Sequence, residues 1–129
     1  MSKLEKALII KPNWGNLILD GKKTWEIRSS STNIRGRIGI AFSGTSAVWG
    51  TVNLVNCIKL NKEVFESNKD KHQINYDFEE LPYSNVYAWV FEDANRLDEP
   101  IGYSHKRGCV IWCNLDDAFN KALTLAISR

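Results

Sequence analysis

Apolar and polar residues alternate along several short stretches of the chain, and this two-residue period is typical of half-buried β-strands. Residues 6–11 carry a continuous apolar run, and residues 48–60 form the longest stretch, in which Gly50 indicates a β-bulge or a bend that curves the sheet. The predicted strands are 6–11, 24–29, 37–43, 48–60, 86–91 and 109–115, with a short extended piece at 100–103. Strands therefore dominate the predicted structure.

Three short helices are predicted from apolar residues at helical spacing. The first covers residues 13–20, with Asn13 as N-cap and Gly21 at its C-terminal end. The second covers about 62–69 after the cap Asn61, and the third follows Asp116. Residues 70–85 are polar and show no period, so we expect the longest irregular connection there, a mobile lid.

The strand at 37–43 has one face with almost no side-chain bulk, made by Gly39, Ala41 and Ser43. Another part of the chain must therefore approach that face closely. With 129 residues and 43% hydrophobic content, the chain can build one core, so we expect a single domain over residues 1–129. The predicted fold is α+β and β-rich, a small twisted barrel of about five to seven strands with two or three short flanking helices.

The charge balance excludes a bulk electrostatic attraction to DNA or anionic lipid. The 17 basic and 15 acidic residues are interspersed and leave a net charge of only +2, so any contact with nucleic acid must be local. Residues 1–6 lack an apolar signal region, and no apolar run approaches about eighteen residues. We expect a cytoplasmic protein that does not associate with membranes.

Three cysteines at irregular spacing favour reduced thiols over a disulfide framework. His105, Cys109 and Cys113 resemble a zinc ligand set. If residues 108–115 form a strand, positions four apart are separated by about 13 Å, too far to share one tetrahedral ion. We therefore expect these side chains to pack in the core, and we expect no metal and no cofactor.

The densest chemistry lies in Gly21-Lys22-Lys23-Thr24-Trp25-Glu26-Ile27-Arg28, just after the first predicted helix. In a strand, Thr24, Glu26 and Arg28 share one face, and Trp25 and Ile27 share the other. Periodicity alone favours a solvated strand edge in which Glu26 pairs with Arg28. If the polar face borders a cleft instead, we expect it to be a functional site.

This segment, with Arg35-Gly36 and the hairpin of residues 38–50 after it, resembles the ASCH family of the PUA-like superfamily. The resemblance implies a PUA-like β-barrel with an RNA-binding cleft beside the first helix. Some similar proteins hydrolyse the amide of N4-acylated cytidine, using a lysine and a threonine of this motif and a glutamate from elsewhere. Lys23 matches that lysine, but Glu26 stands where those enzymes have the nucleophilic threonine, so their mechanism does not transfer.

The sequence therefore favours a domain that binds RNA or a modified nucleoside. Hydrolysis of N4-acylated cytidine, ribonuclease activity and a protein-interaction role with a cleft blocked by residues 70–85 stay open as alternatives. If the protein is an enzyme, Lys23 and Glu26 are the catalytic candidates. Trp14 is a better stacking candidate than Trp25, which we expect in the core. The predicted nucleotide contacts are Trp14, Lys22, Lys23, Thr24, Glu26, Arg28, Ser43 and His105.

Overall fold

The computed structural model describes residues 3–127, which form one mixed β-sheet with helices packed around it. The strands are β1 (Lys6–Ile10), β2 (Trp25–Arg28), β3 (Gly36–Phe42), β4 (Ala47–Lys59), β5 (Tyr87–Gly102) and β6 (Trp112–Asn114). The helices are α1 (Pro12–Leu19), α2 (Lys62–Glu66), α3 (Lys69–His72) and α4 (Asp117–Ile127), with a short 3-10 turn at Phe78–Glu80.

The six strands pair in the order β2-β5-β4-β3-β1-β6. β1 runs parallel to β3, with Ala7 opposite Gly39, and the other neighbouring strands are antiparallel. The sheet curls into a half-barrel, which confirms the predicted β-rich α+β fold.

The predicted irregularity at Gly50 is a β-bulge. Ile40 pairs with Gly50, but the next residue, Ala41, pairs with Val48, so β4 carries one extra residue there. A Cβ on Gly50 would lie 2.5 Å from Leu19 Cδ2 and 2.7 Å from the main-chain oxygen of Asn95. The absent side chain lets the end of α1 pack directly on the strand.

Helix α4 packs near Ala41 in the face of β3 that lacks side-chain bulk, whereas Ser43 of the same face is exposed in a cleft. Ala41 is fully buried in a cluster with Phe119 and Leu123 of α4. A Cβ on Gly39 would lie 3.3 Å from the Cβ of Ala7 on β1. The close approach that the small residues predicted is therefore made by the closing helix and by the neighbouring strand.

Two strand predictions were wrong in extent. Residues 86–91 and 100–103 belong to one 16-residue strand, β5, because its pairing with β4 continues with register shifts through the polar stretch between them. Backbone hydrogen bonds hold that stretch, so it needs no apolar alternation. The predicted strand at 109–115 is only β6, three residues long.

The predicted start of α1 was also wrong. Lys11, not Asn13, is the N-cap residue, and Pro12 takes the first helical position, where its missing N–H costs nothing. The predicted C-terminal glycine is right, since Gly21 adopts a φ of +79° and its N–H bonds to the Ile18 oxygen. The Asn61 side chain caps α2 by accepting from the Val64 N–H, also as predicted.

Residues 61–85 are more ordered than predicted. The second helix ends at Glu66 rather than near 69, and α3 and the 3-10 turn follow where an irregular lid was expected. Four buried side chains anchor the segment: Phe65, His72, Ile74 and Leu81. They give no clear period because they are spread over two short helices, an irregular stretch and the end of the 3-10 turn. The segment starts and ends at one point, where the Leu60 N–H donates to the Val86 oxygen at 2.8 Å.

Among residues 3–127, none of the helices has the length and apolar content needed to cross a membrane.

Candidate functional site

A cleft of about 430 Å³ opens where β2, the start of α1 and the segment 74–83 meet. Its lining mixes buried charges, apolar side chains and aromatic rings. The lining residues are Ile9, Ile10, Lys11, Trp14, Lys23, Glu26, Ile27, Arg28, Ser43, Ile74, Tyr76, Leu81, Tyr83 and Val110. The volume is within the range of small-molecule sites.

Glu26 is the buried carboxylate of the cleft, with 7% of its surface exposed. Its Oε2 accepts from Arg28 Nε at 2.9 Å, and Lys23 Nζ lies 3.8 Å from its Oε1, an ion pair beyond hydrogen-bond reach. Arg28 is held in turn because its Nη2 donates to the Ile9 main-chain oxygen at 3.1 Å. Two cations thus surround one carboxylate, and the cluster carries a net positive charge when all three are ionised.

Lys23 is almost completely buried, with 1% of its surface exposed. Its Nζ donates to the main-chain oxygen of His72 at 2.5 Å and lies 4.6 Å from the centre of the Trp14 ring. Burial lowers the pKa of Lys23 from 10.5 to about 8, although the Glu26 carboxylate opposes the shift. At neutral pH Lys23 is mostly charged, yet close to losing its proton.

His72 positions the far side of the cleft. Its side chain is fully buried and stacks on the Phe65 ring at 4.1 Å between centres. Its Nδ1 accepts from the Ile74 N–H at 2.9 Å, and its Nε2 lies 2.7 Å from the Phe65 oxygen. These partners assign the proton to Nε2 of a neutral ring. Burial lowers the pKa of His72, in keeping with that state.

Five of the eight predicted contact residues line the cleft: Trp14, Lys23, Glu26, Arg28 and Ser43. The other three lie elsewhere. Lys22 is exposed on the turn after α1. Thr24 precedes β2 and is held by its backbone, which bonds to Lys71 and Phe91. His105 lies in the loop after β5, with its Nδ1 3.1 Å from the Tyr103 hydroxyl. As expected, Trp25 is in the core.

Only weak signals for the rest of the cleft are present in the sequence. Tyr76 and Tyr83 are aromatic residues in a polar stretch without a period, and such residues mark either an anchor or a surface contact. His72 had no signal beyond being one of 2 histidines. Residues 70–85 contribute a wall to the cleft and do not block it.

The distance argument against zinc assumed a strand over residues 108–115, of which only Trp112–Asn114 forms. Residues 104–111 are turn and loop, and Cys113 Sγ lies 3.7 Å from His105 Nδ1. Within residues 3–127, even so, no group of three or more His, Cys, Asp or Glu side chains has a geometry that could hold a metal ion.

The curled mixed sheet with helices around it has the PUA-like fold. The chain belongs to the ASCH domain family, whose model matches residues 8–101.

Solved structures of one relative share the fold. The crystal structure of ASCH from Zymomonas mobilis superposes with a TM-score of 0.70 at 18% identity, over 96% of this chain and 96% of that one. A serine-to-alanine variant of that protein gives the same score and identity over 95% of this chain and 96% of its own. A tyrosine-to-phenylalanine variant does so over 94% and 96%. No curated protein matches the sequence.

Proposed function

We propose that this protein binds RNA or a nucleotide in the cleft beside α1. The observation that carries the proposal is Glu26, a carboxylate that lines an open cleft and is paired with two cations, Arg28 and Lys23. Within residues 3–127, its Oε1 accepts no hydrogen bond. A carboxylate oxygen in this state can accept from the exocyclic amino group of a base, as acidic side chains do when they read cytosine.

The charges around Glu26 favour an anionic ligand. Lys11, Lys23 and Arg28 line the same cleft, so cations outnumber the carboxylate. Phosphate contacts from lysine and arginine supply most of the affinity in nucleic-acid binding. Trp14 is half-buried and lines the same cleft, where its ring offers an aromatic surface on which a base can stack.

The test is calorimetric titration with ribonucleoside monophosphates and with single-stranded RNA at two salt concentrations. Glu26→Gln keeps the shape and removes the charge, and we expect it to weaken binding about tenfold or more, the usual cost of a lost charged hydrogen bond. Glu79→Gln is the matched control because Glu79 is exposed, pairs with Lys62 and lies outside the cleft. No saturable, salt-dependent binding at millimolar concentration would exclude the proposal.

One observation favours hydrolysis of N4-acylated cytidine as a second candidate. Lys23, with its pKa lowered to about 8, lies 3.8 Å from Glu26. In this scheme Glu26 activates water as a general base, and protonated Lys23 stabilises the oxyanion. Spectrophotometric turnover of N4-acetylcytidine that is lost in both Glu26→Gln and Lys23→Ala would establish it. The same samples, incubated with labelled RNA, test ribonuclease activity.

A further inference from the structure

We propose that the cleft takes its nucleotide as part of a single-stranded RNA, and that Tyr76 and Tyr83 stack the bases next to it. This inference rests on the proposed function and extends it, because it selects an RNA strand over a free nucleoside.

The exposure of the aromatic side chains is the first observation. The chain has 5 Trp, 4 Tyr and 5 Phe, and all of them lie within residues 3–127. Only Tyr76 and Tyr83 are exposed, with 40% and 36% of their surfaces accessible, and both line the cleft. The other aromatic residues are buried or half-buried. The two most exposed side chains among these Trp, Tyr and Phe residues thus both lie at the site.

The second observation is that these two rings lack partners. Several half-buried aromatic residues stack or pair: Trp49 with Phe42, Trp112 with Trp89, Phe78 with Phe65 and Tyr103 with His105. By contrast, over the described part of the chain, neither Tyr76 nor Tyr83 has a ring partner or a hydrogen bond from its hydroxyl. Their faces are therefore available to flat ligands.

The third observation is the division of the cleft into two zones. In the deep zone, Glu26 and Lys23 are buried and Trp14 is half-buried. One nucleotide is enough to contact all three residues. The tyrosines and Val110, which is 76% exposed, add accessible apolar surface to the same cleft. Neighbouring bases of a strand would cover that surface, because stacking on aromatic side chains is a general mode of single-strand binding.

The experiment compares a mixed-sequence hexaribonucleotide with ribonucleoside monophosphates by fluorescence anisotropy and calorimetry. We expect the hexamer to bind at least tenfold more tightly than any monophosphate. Tyr76→Ala and Tyr83→Ala should each weaken hexamer binding about 5- to 150-fold, the range for loss of one stacked base. Neither substitution should change monophosphate binding, and Tyr76→Phe and Tyr83→Phe should keep hexamer affinity.

Val64→Ala is the control substitution, since Val64 is 37% exposed and lies outside the cleft. Monophosphate binding without tighter hexamer binding would overturn the inference and leave the proposed function standing. Equal weakening of both ligands in the tyrosine variants would also overturn it, because the rings would then belong to the single-nucleotide pocket. If neither ligand binds, the proposed function fails as well.

Discussion

Lys23 and His72 are joined by a hydrogen bond from the lysine Nζ to the histidine main-chain oxygen, although 49 positions separate them in sequence. The bond connects the turn before β2 with the segment that carries Tyr76 and Tyr83. The same lysine also contacts Glu26 and Trp14, so a substitution on one side of the cleft that moves Lys23 also affects the contacts on the other side.

The first prediction concerns the free energy of unfolding at alkaline pH. The folded-state pKa of Lys23, about 8, is below its ordinary value of 10.5, so the unfolded chain binds more protons between these pH values. Stability attributable to Lys23 therefore rises as pH increases from 8 to 10.5. At 1.36 kcal/mol for each pH unit, the wild type should gain roughly 3 kcal/mol relative to Lys23→Met over that interval.

Urea denaturation at pH 7.5, 9 and 10.5 measures this difference. Lys22→Met is the matched control, because it removes the exposed neighbouring lysine and keeps Lys23 in place. Parallel pH profiles for the wild type and Lys23→Met would contradict the buried state of the amine.

The second prediction concerns weakly acidic pH. The pKa of His72 is lowered from 6.5 chiefly by burial, with Lys23 and Lys69 acting in the same direction and the Phe65 oxygen and Asp70 opposing them. The unfolded chain therefore takes up the proton first. His72 supports the fold fully above pH 6.5, and stability should fall as pH decreases from 6.5 to 5.5.

Chemical denaturation between pH 7.5 and 5.5 tests this sign. His72→Gln should be less stable than the wild type at pH 7.5 but should show a flatter profile of unfolding free energy against pH. An unchanged slope in His72→Gln would show that another group titrates.

The third prediction concerns the bulge at Gly50. A methyl group there would meet Leu19 and the Asn95 main-chain oxygen, and the backbone atom cannot move aside easily. We expect Gly50→Ala to lower the free energy of unfolding by about 1–3 kcal/mol. Gly102→Ala is the control, because its Cβ would approach nothing closer than 3.8 Å and its change should stay within about 0.5 kcal/mol.

The fourth prediction concerns thiol reactivity. Cys113 is buried and burial raises the pKa of its thiol, whereas Cys57 and Cys109 are half-buried. Under native conditions, Cys113 should react with Ellman's reagent at least tenfold more slowly than the other two. Cys113→Ser should leave the rapid phase intact, and a rapid phase that shrinks in this variant would contradict the assignment.

Local chemistry in the sequence was enough to predict much of the fold. The alternation in 37–43, the glycine at the end of α1 and the bulge at Gly50 each act over a few residues. The burial of Lys23 could not be predicted in this way, because the oxygen that accepts its hydrogen bond belongs to His72, which is distant in sequence. The continuity of β5 was missed for a related reason. Its polar stretch is extended because it pairs with β4, and its own sequence shows no apolar alternation that would predict a strand.

The hydrogen bond between Leu60 and Val86 has a consequence for how far the segment that it closes, residues 61–85, can vary. Because residues 61–85 leave the sheet and return to it at one point, their length and sequence can change without shifting the strand register. Yet they supply Ile74, Tyr76, Leu81 and Tyr83 to the cleft. The segment therefore sets part of the ligand-contacting surface without setting the register of the sheet, and a replacement for it must still offer Lys23 the main-chain oxygen that His72 supplies here.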